Sequence, residues 1–291
     1  MSASAPTAYQ LYCEPGLALG SRLTGEEAFF GALWMRNGTS KLTYPRRFED
    51  LDALVQTLLP ESRPLEIMDV AVSSGVSTAE WLDTLERAGI DCRMVAGDAV
   101  IDAFLLSCGE HMRALVDRTG FLMHLELAGR SIRLPPPRRC GAKLHLHGFN
   151  LLRAAAAPLF RLARRRLGRT SPDRGSLACR PLKLVSPTLV ARGSIEWIED
   201  DLLDGGPLQR RFHVVRAANV LNRGYFDERT LARMTRRLRE RLSPRGLLVV
   251  CRTTPDRRNH ATVFRLEDDG RFSAAAHLGD GSEIADLVLK L

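Results

Sequence analysis

The pattern of apolar and polar residues predicts alternating strands and helices along much of the chain. The apolar residues Ile67, Met68 and Val70 predict a short buried strand, with Asp69 near its carboxyl end. A helix is predicted directly after the turn, because Ser77 and Glu80 have the spacing of a capping box and Gly89 is placed to end it. Its apolar stripe consists of Trp81, Leu82, Leu85 and Ala88. A strand, a turn and a helix in this order form the first half of a βαβ unit, which predicts a parallel sheet.

The turn between this strand and this helix is rich in small residues. Ala71, Ser73 and Gly75 occupy alternate positions, a pattern typical of a backbone that passes close to a ligand. Ligands of open parallel sheets bind beyond the carboxyl ends of the strands, so the turn is predicted to border a binding crevice. The alternative is a small-residue turn without a ligand, since a degenerate glycine pattern alone is a weak signal.

A second acid is predicted at the same crevice. A strand over residues 93–96 ends at Gly97 and Asp98, and Asp98 lies 23 positions after Gly75. In dinucleotide-binding folds a carboxylate about 20 residues after the glycines accepts hydrogen bonds from the ribose hydroxyls. The two features together favour a cofactor that contains adenosine.

Two later strands add polar residues to this edge of the sheet. Residues 195–198 predict a strand that runs into Asp200 and Asp201. Residues 212–215 predict a buried strand, and Arg216 and Asn219 follow it at the predicted crevice.

The last part of the chain predicts a helix, a strand and a hairpin. Asp227 is the expected N-cap of the helix, whose arginines are expected to face solvent. The turn over residues 243–246 leads into a strand over 247–251. An antiparallel hairpin is predicted over 261–278, because Asp268, Asp269 and Gly270 form a strong turn signal between two apolar runs.

Residues 1–60 predict a helical cap on a domain formed by residues 61–291. Within the cap, the turn over 44–48 either lines a substrate entrance or is an exposed basic turn. About 80 residues separate Asp98 from the next core strand, and this length predicts an insertion or lid at about 106–182. It contains a predicted hairpin over 121–134 and an amphipathic helix over 149–168. The helix is expected to pack its apolar face on the core, and binding of a membrane or nucleic acid through Arg161 to Arg169 is the alternative.

The composition of the chain limits the partners, the cellular location and the metal sites that are expected. The formal charge of +8, from 42 Lys and Arg against 34 Asp and Glu, favours an anionic partner such as nucleic acid, anionic lipid or an acidic substrate. No apolar run approaches the length of about 18 residues typical of a membrane span, and residues 1–10 lack the features of a secretory signal, so a cytoplasmic protein is expected. The six cysteines are scattered and are expected to be reduced. A zinc site of Cys140, His145, His147 and Cys179 is disfavoured by its spacing, so no metal is predicted.

The order of these features resembles the class I methyltransferases that use S-adenosylmethionine, over about residues 65–280 apart from the insertion. The first strand and loop of that family read D-x-G-x-G-x-G, and small residues replace two of the glycines here. The four fixed positions of this pattern correspond to Asp69, Ala71, Ser73 and Gly75, of which Ala71 and Ser73 replace glycines. The resemblance implies that Asp98 binds the ribose and that Asp201 contacts the adenine. The late turn P-G-G-x-L of the family is matched by the sequence over residues 244–248.

A local likeness concerns residues 212–226, FHVVRAANVLNRGYF, which resemble the chemotaxis receptor methyltransferases. Their strand reads F-D-x-I-F-C-R-N-V, and Asn219 and Val220 match its end. His213 stands at the position of the family's Asp, and Ala218 at the position of its Arg.

The resemblance implies a Rossmann-like, doubly wound and mainly parallel sheet with a C-terminal antiparallel hairpin. It implies S-adenosylmethionine as cofactor and in-line transfer of its methyl group to an O, N or S atom of a small metabolite or peptide-like acceptor. Asn219 is then expected to orient the acceptor, and Arg216 to bind an anionic group on it. The alternative is that Asn219 satisfies backbone groups of its loop and that Arg216 pairs with Asp201 or another acid. Without interleaved aromatic and basic residues, nucleic acid is a less favoured acceptor. Two other functions stay open, a nicotinamide oxidoreductase and a nucleic-acid- or membrane-binding protein, although the first requires a glycine where Val76 stands.

Overall fold

The computed structural model describes residues 5–14, 19–36, 38–41, 43–62, 64–136, 144–165, 177–203, 208 and 211–291. The chain forms two compact units, and each is built from two separate stretches. Unit 1 comprises Met1–Thr43 and Asp102–Val190, and unit 2 comprises Tyr44–Ile101 and Ala191–Leu291. The units therefore divide the chain after residues 43, 101 and 190, whereas the sequence predicted a boundary after residue 60 and an insertion at about 106–182.

Eight helices and twelve strands are assigned within the described residues. The helices are α1 (Ala8–Cys13), α2 (Leu19–Ala32), α3 (Glu49–Gln56), α4 (Val76–Arg87), α5 (Leu144–Arg164), α6 (Pro187–Arg192), α7 (Glu228–Arg241) and α8 (Ala285–Leu289). The strands are β1 (Leu65–Val70), β2 (Cys92–Asp98), β3 (Asp102–Cys108), β4 (Met112–Asp117), β5 (Leu122–Leu127), β6 (Arg130–Ile132), β7 (Leu177–Lys183), β8 (Ile195–Glu199), β9 (Phe212–Ala218), β10 (Leu242–Thr253), β11 (Asn259–Leu266) and β12 (Phe272–Leu278).

Unit 2 is built on a seven-stranded sheet of order β12-β11-β10-β9-β1-β2-β8. Five neighbouring strands pair in parallel, in the order β10-β9-β1-β2-β8. Strands β11 and β12 add an antiparallel hairpin at the edge next to β10. The hairpin turns at Gly270, whose φ of +82° is left-handed. The mainly parallel α/β fold and its C-terminal hairpin, both predicted from the sequence, are confirmed.

Helix α4 starts directly after the small-residue turn. Its N-cap is Gly75, which offers no side-chain hydrogen bond, and Ser77 and Glu80 lie inside the helix. The predicted capping box is therefore wrong: the carboxylate of Glu80 instead accepts a hydrogen bond from the backbone N–H of Arg46, at 2.9 Å. The predicted end is confirmed, because Gly89 follows the helix with a φ of +70°.

Helix α7 packs its apolar stripe on the sheet. Leu231, Met234 and Leu238 belong to a buried cluster that includes Met68 and Val215 of the central strands. The predicted N-cap is confirmed, because the side chain of Asp227 accepts a hydrogen bond from the backbone N–H of Thr230. The expectation that the arginines face solvent fails at the last turn, where residue 241 is 3% exposed and paired with a carboxylate.

Unit 1 contains a five-stranded antiparallel sheet of order β6-β5-β4-β3-β7, covered by α5. Strands β5 and β6 confirm the hairpin predicted over 121–134, whereas β3, β4 and β7 were not predicted. The helix contacts the sheet through Ala156, Phe160 and Ala163, which are buried. It lies so close to the β4–β5 turn that a Cβ on Gly120 would be 2.7 Å from the Cα of Ala157, so only glycine fits there.

Candidate active site

The loop between β1 and α4 has an unusual backbone. Ala71, Ser73 and Gly75 have φ values of +57°, +60° and +85°, so every second residue is left-handed. This conformation costs a non-glycine residue about 1–2 kcal/mol, and glycine far less. A Cβ on Gly75 would lie 2.4 Å from Cη2 of Trp197, so this position also requires glycine for space. The loop therefore keeps a glycine-type path although two of its three alternate positions carry side chains.

The end of β2 holds this loop in place. The backbone N–H of Ser73 donates to Oδ2 of Asp98 at 2.8 Å, and that of Val100 donates to Oδ1 at 3.2 Å. The N–H of Val72 donates to the carbonyl oxygen of Gly97 at 3.2 Å. The structure thus brings Asp98 and the alternating loop together at the carboxyl ends of β1 and β2, where the sequence placed both.

Two adjacent acids end β8, and they have different surroundings. Asp200 is 9% exposed and forms a bidentate ion pair with Arg241, with distances of 2.6 and 2.9 Å. Its backbone N–H donates to the carbonyl oxygen of Asp98 at 2.9 Å, which joins the ends of β8 and β2. Asp201 is partly exposed, and its Oδ1 accepts a hydrogen bond from the N–H of Leu203 at 2.8 Å. Asp201 is therefore the acid of this pair that a ligand reaches more readily.

Trp197 lies on β8 and pairs in register with Ala96 of β2. Its ring lies against the loop at Gly75, and its Nε1 atom is buried without a hydrogen-bond partner among the described residues. Trp197 falls within the strand predicted over residues 195–198, but its contact with the loop was not predicted.

Asp69 is part of a buried ion network rather than of an open surface. It is 3% exposed, and its carboxylate accepts hydrogen bonds from Nε and Nη2 of Arg216, at 3.0 and 2.6 Å, and from the hydroxyl of Thr78 at 2.7 Å. In this arrangement the carboxylate fixes the end of β1 to β9 and to α4.

Arg216 is the centre of this network. The sequence placed it after a strand ending at residue 215, but β9 continues to Ala218, so Arg216 lies within the strand and is 0% exposed. Its guanidinium also donates to Asp52 of α3 at 2.6 Å and lies 4.1 Å from the ring centroid of Trp81. Burial alone lowers the pKa of Arg216, but the two carboxylates outweigh it and raise that pKa. The prediction that Arg216 lies at the crevice is therefore wrong, because its side chain is buried in the interior of unit 2.

Asp52 is 5% exposed and shares the guanidinium with Asp69. Burial raises the pKa of Asp52 to about 7, with Asp69 adding to the effect and Arg216 opposing it. One arginine neutralises two buried carboxylates only in part, and below about pH 7 a proton on Asp52 completes the neutralisation.

Replacing Asp52 with Asn is expected to flatten the pH dependence of stability between about pH 4 and 7. The pKa of Asp52 in the folded chain is raised above the value of about 3.9 for an unfolded Asp. Its contribution to stability is therefore full below pH 4 and is lost as the pH rises through about 7. Urea unfolding at a series of pH values measures this loss. The exposed Asp91→Asn is the control, and an Asp52→Asn variant with the wild-type pH profile would contradict the assignment.

Asn219 follows β9 directly and has a left-handed φ of +61°. Its Oδ1 accepts a hydrogen bond from the N–H of Thr253 at 2.7 Å, and its Nδ2 donates to Oγ1 of the same residue at 3.2 Å. Its own N–H donates to the carbonyl oxygen of Cys251 at 2.8 Å. Asn219 thus joins the carboxyl ends of β9 and β10.

A polar network extends from Thr253 to the turn before α3. Nε of Arg47 donates to Oγ1 of Thr253 at 3.1 Å, and that hydroxyl donates to Oδ1 of Asn259 at 2.8 Å. Nδ2 of Asn259 donates to the carbonyl oxygen of Arg47 and to the carboxylate of Asp50, both at 2.7 Å. The turn is thereby held at the edge of the sheet on which Asn219 lies.

Aromatic and cationic side chains accompany this network. The ring of Tyr44 lies 5.0 Å from the guanidinium carbons of both Arg47 and Arg257. Burial lowers the pKa of Arg47, and the nearby Tyr44, Cys251 and Tyr225 oppose that effect. Tyr225 is 55% exposed. These contacts hold the turn at 44–48 at the edge of the sheet, and its role as a substrate entrance stays a prediction.

No family model matches the chain, and no curated protein matches it. It is similar to solved structures of methyltransferases. The N-methyltransferase NodS from Bradyrhizobium japonicum, in complex with S-adenosyl-L-homocysteine, matches with 13% identity over 71% of this chain and 62% of that chain, at a TM-score of 0.31. An O-methyltransferase family protein from Burkholderia thailandensis matches with 16% identity over 73% and 40%, at 0.33. An S-adenosylmethionine-dependent methyltransferase from Mesorhizobium loti matches with 16% identity over 70% and 53%, at 0.29. The chain thus spans less than two thirds of each of these proteins.

Two further findings concern the described residues only. None of their helices has the length and hydrophobicity that crossing a membrane requires. Their His, Cys, Asp and Glu side chains form no group of three or more that is suited to hold a metal ion. Cys140 of the disfavoured zinc site lies outside the described residues.

Proposed function

We propose that this chain transfers a methyl group from S-adenosylmethionine to an O, N or S atom of a small metabolite or peptide-like acceptor. The observation that carries the proposal is the hydrogen bond of 2.8 Å between the alternating loop, at Ser73, and the carboxylate of Asp98. It places a backbone of glycine type beside an acid at the neighbouring strand end, and dinucleotide-binding folds use these two features to bind adenosine-containing cofactors.

The residues at this edge fit such a cofactor. The left-handed backbone at Ala71, Ser73 and Gly75 lets the chain approach a ligand closely. A carboxylate has about four acceptor sites, so the bonds that Asp98 accepts from the backbone are compatible with others from ribose hydroxyls. Asp201 is suited to accept a hydrogen bond from the adenine amino group. When bound, the cofactor supplies a methyl group activated by its sulfonium.

The acceptor side is assigned to the ends of β9 and β10. Asn219 fixes Thr253, and Thr253 fixes Arg47, so the three side chains hold one another in a set geometry. Because Arg216 is buried against carboxylates, the anion-binding role expected for it passes to Arg47 and Arg257. These residues orient the acceptor toward the methyl group, and such positioning lowers the activation free energy by up to several kcal/mol. An acceptor with a carboxylate or phosphate group suits this site best.

Binding measurements distinguish this function from the nicotinamide alternative. Calorimetry is expected to show binding of S-adenosylmethionine and S-adenosylhomocysteine and none of NAD or NADP. The reverse order of affinity would contradict the proposal.

Replacing Asn219 with Gly is expected to lower methyl transfer by about a hundredfold while leaving the affinity for S-adenosylmethionine unchanged. Glycine keeps the left-handed backbone but removes the amide that holds Thr253, and a small misplacement of reacting groups has an effect of this size. Transfer is measured with radiolabelled cofactor and a library of acceptors that carry carboxylate or phosphate groups.

The matched control is Asn222→Gly, which removes another amide from the following turn. Unimpaired transfer by Asn219→Gly would remove Asn219 from the site. Equal loss of transfer and of cofactor affinity would mean that Asn219 supports the sheet edge as a whole.

A further inference from the structure

Helix α5 leaves one apolar face uncovered. Four of its leucines are strongly exposed: Leu151 at 70%, Leu152 at 40%, Leu159 at 44% and Leu162 at 46%. Two of these, Leu152 and Leu159, belong to the face that the sequence predicted to pack on the core, and that part of the prediction is wrong. The helix packs on the sheet of unit 1 through small residues and Phe160, and the exposed leucines extend its apolar surface beyond this packed face.

The exposed leucines share one side of the helix. Leu151, Ala155, Pro158 and Leu162 recur at intervals of three or four residues, which places them in one line along α5. Arg161 and Arg165 are exposed at the margin of this line. An apolar line beside arginines is the pattern of a helix that lies in the plane of a membrane surface.

The positive charge of the chain is concentrated in the part of the sequence that contains this helix. Between Glu126 and Asp173 the sequence contains eleven Lys and Arg residues and no Asp or Glu. The rest of the chain has 31 Lys and Arg against 34 Asp and Glu, which is a net charge of −3. The whole positive charge of the protein therefore comes from the part of the sequence that contains α5.

We infer that α5 binds reversibly to an anionic lipid surface, with its leucine face inserted at the boundary of headgroups and acyl chains and its arginines bound to lipid phosphates. Charge and apolar exposure both favour this partner. Nucleic acid accounts for the arginines but not for four exposed leucines, and a second copy of the chain accounts for the leucines but would bring two basic segments together. The inference is independent of the proposed methyl transfer.

The test measures co-sedimentation of the full chain with vesicles of phosphatidylcholine mixed with phosphatidylglycerol, and with vesicles of phosphatidylcholine alone. Binding is expected to the anionic vesicles, to weaken as salt is raised, and to be much weaker to the neutral ones. Absence of binding to anionic vesicles at low salt would overturn the inference.

Two double variants of α5 separate its contributions. The double variant Arg161→Glu, Arg165→Glu is expected to lower the vesicle partition coefficient about thirtyfold or more. Each arginine near an anionic surface raises that coefficient about fivefold. Leu151→Ser with Leu162→Ser is expected to weaken it on the order of tenfold or more and to leave the fold intact, since both side chains are exposed.

The matched controls lie on α7 and α8. Arg233→Glu with Arg236→Glu makes the same change of charge at exposed arginines of α7, and Leu289→Ser removes a leucine that is 45% exposed. Both controls are expected to retain vesicle binding to within about threefold, because they leave α5 intact. Equal loss in the α7 variant would reduce the effect to net charge and overturn the inference.

Two other results would also overturn it. One is tight binding of single-stranded RNA that the α5 arginine variant loses and the leucine variant keeps. The other is a wild-type dimer in sedimentation equilibrium that the leucine variant dissociates, without vesicle binding by the wild type.

Discussion

Replacing Asp98 with Ala is expected to weaken the binding of S-adenosylmethionine by a hundredfold or more. The proposed role of Asp98 is to accept two hydrogen bonds from the ribose hydroxyls, and bonds to a charged group contribute about 1.5–3 kcal/mol each. The substitution also removes the acceptor that Ser73 uses at 2.8 Å, so the loop loses one of its contacts to β2. Isothermal titration calorimetry measures the affinity directly.

Two variants make this result specific. Asp91→Ala changes an exposed acid at the other end of β2 and is expected to bind as the wild type does. Asp98→Asn keeps an acceptor oxygen for Ser73 but loses the charge, so it is expected to fall between the wild type and Asp98→Ala. An unchanged dissociation constant for Asp98→Ala would remove this residue from the cofactor site.

Replacing Arg216 with Met is expected to lower the free energy of unfolding by about 3–5 kcal/mol. Methionine fills much of the volume but leaves Asp52 and Asp69 buried beside each other without a cation. Urea unfolding measures the change. The loss is expected to be smaller at low pH, because protonation removes the buried charges.

A rescue experiment distinguishes this role from the binding of an acceptor. Adding Asp52→Asn and Asp69→Asn to Arg216→Met is expected to restore part of the lost stability, since no unpaired charge then remains buried. A stable Arg216→Met variant that loses methyl transfer alone would restore the acceptor role first expected for this residue.

The central strands of unit 2 were predictable because both their faces are buried. The apolar runs at the positions of β1, β2 and β9 are what a parallel sheet covered on two sides requires. The hairpin of β11 and β12 was predictable from its turn, since an Asp-Gly pair between two alternating runs sets the pairing. The residues that determine these elements are neighbours in the sequence, so a short stretch of sequence is enough to predict each of them.

The placement of Arg216 was wrong for a physical reason. A charged residue at the end of an apolar run normally marks the end of a strand, but here β9 continues through it. Its partners Asp69 and Asp52 are 147 and 164 positions away in the sequence. A buried charge is tolerated only beside such partners, and no local pattern reveals which distant residues supply them.

The candidate site was predictable in part. Asp98 and the loop are brought together as expected, and Asn219 lies at the end of β9. The roles of Trp197, Thr253 and Asn259 were missed, because each depends on a contact with a residue from another element. The only available signal was the aromatic and cationic composition of the turn at 44–48.

The division of each unit into two separate stretches has a consequence for synthesis on the ribosome. Residues 1–43 emerge first, but their unit is complete only when residue 190 has been made. At about 5–20 residues per second this takes roughly 7–30 s, much longer than helix formation or chain collapse. The first stretch of unit 2, which includes β1, β2 and the loop between them, likewise waits for β8, β9 and β10. The nascent chain therefore exposes incomplete apolar strands for most of its synthesis, and unit 1 is the first that can close.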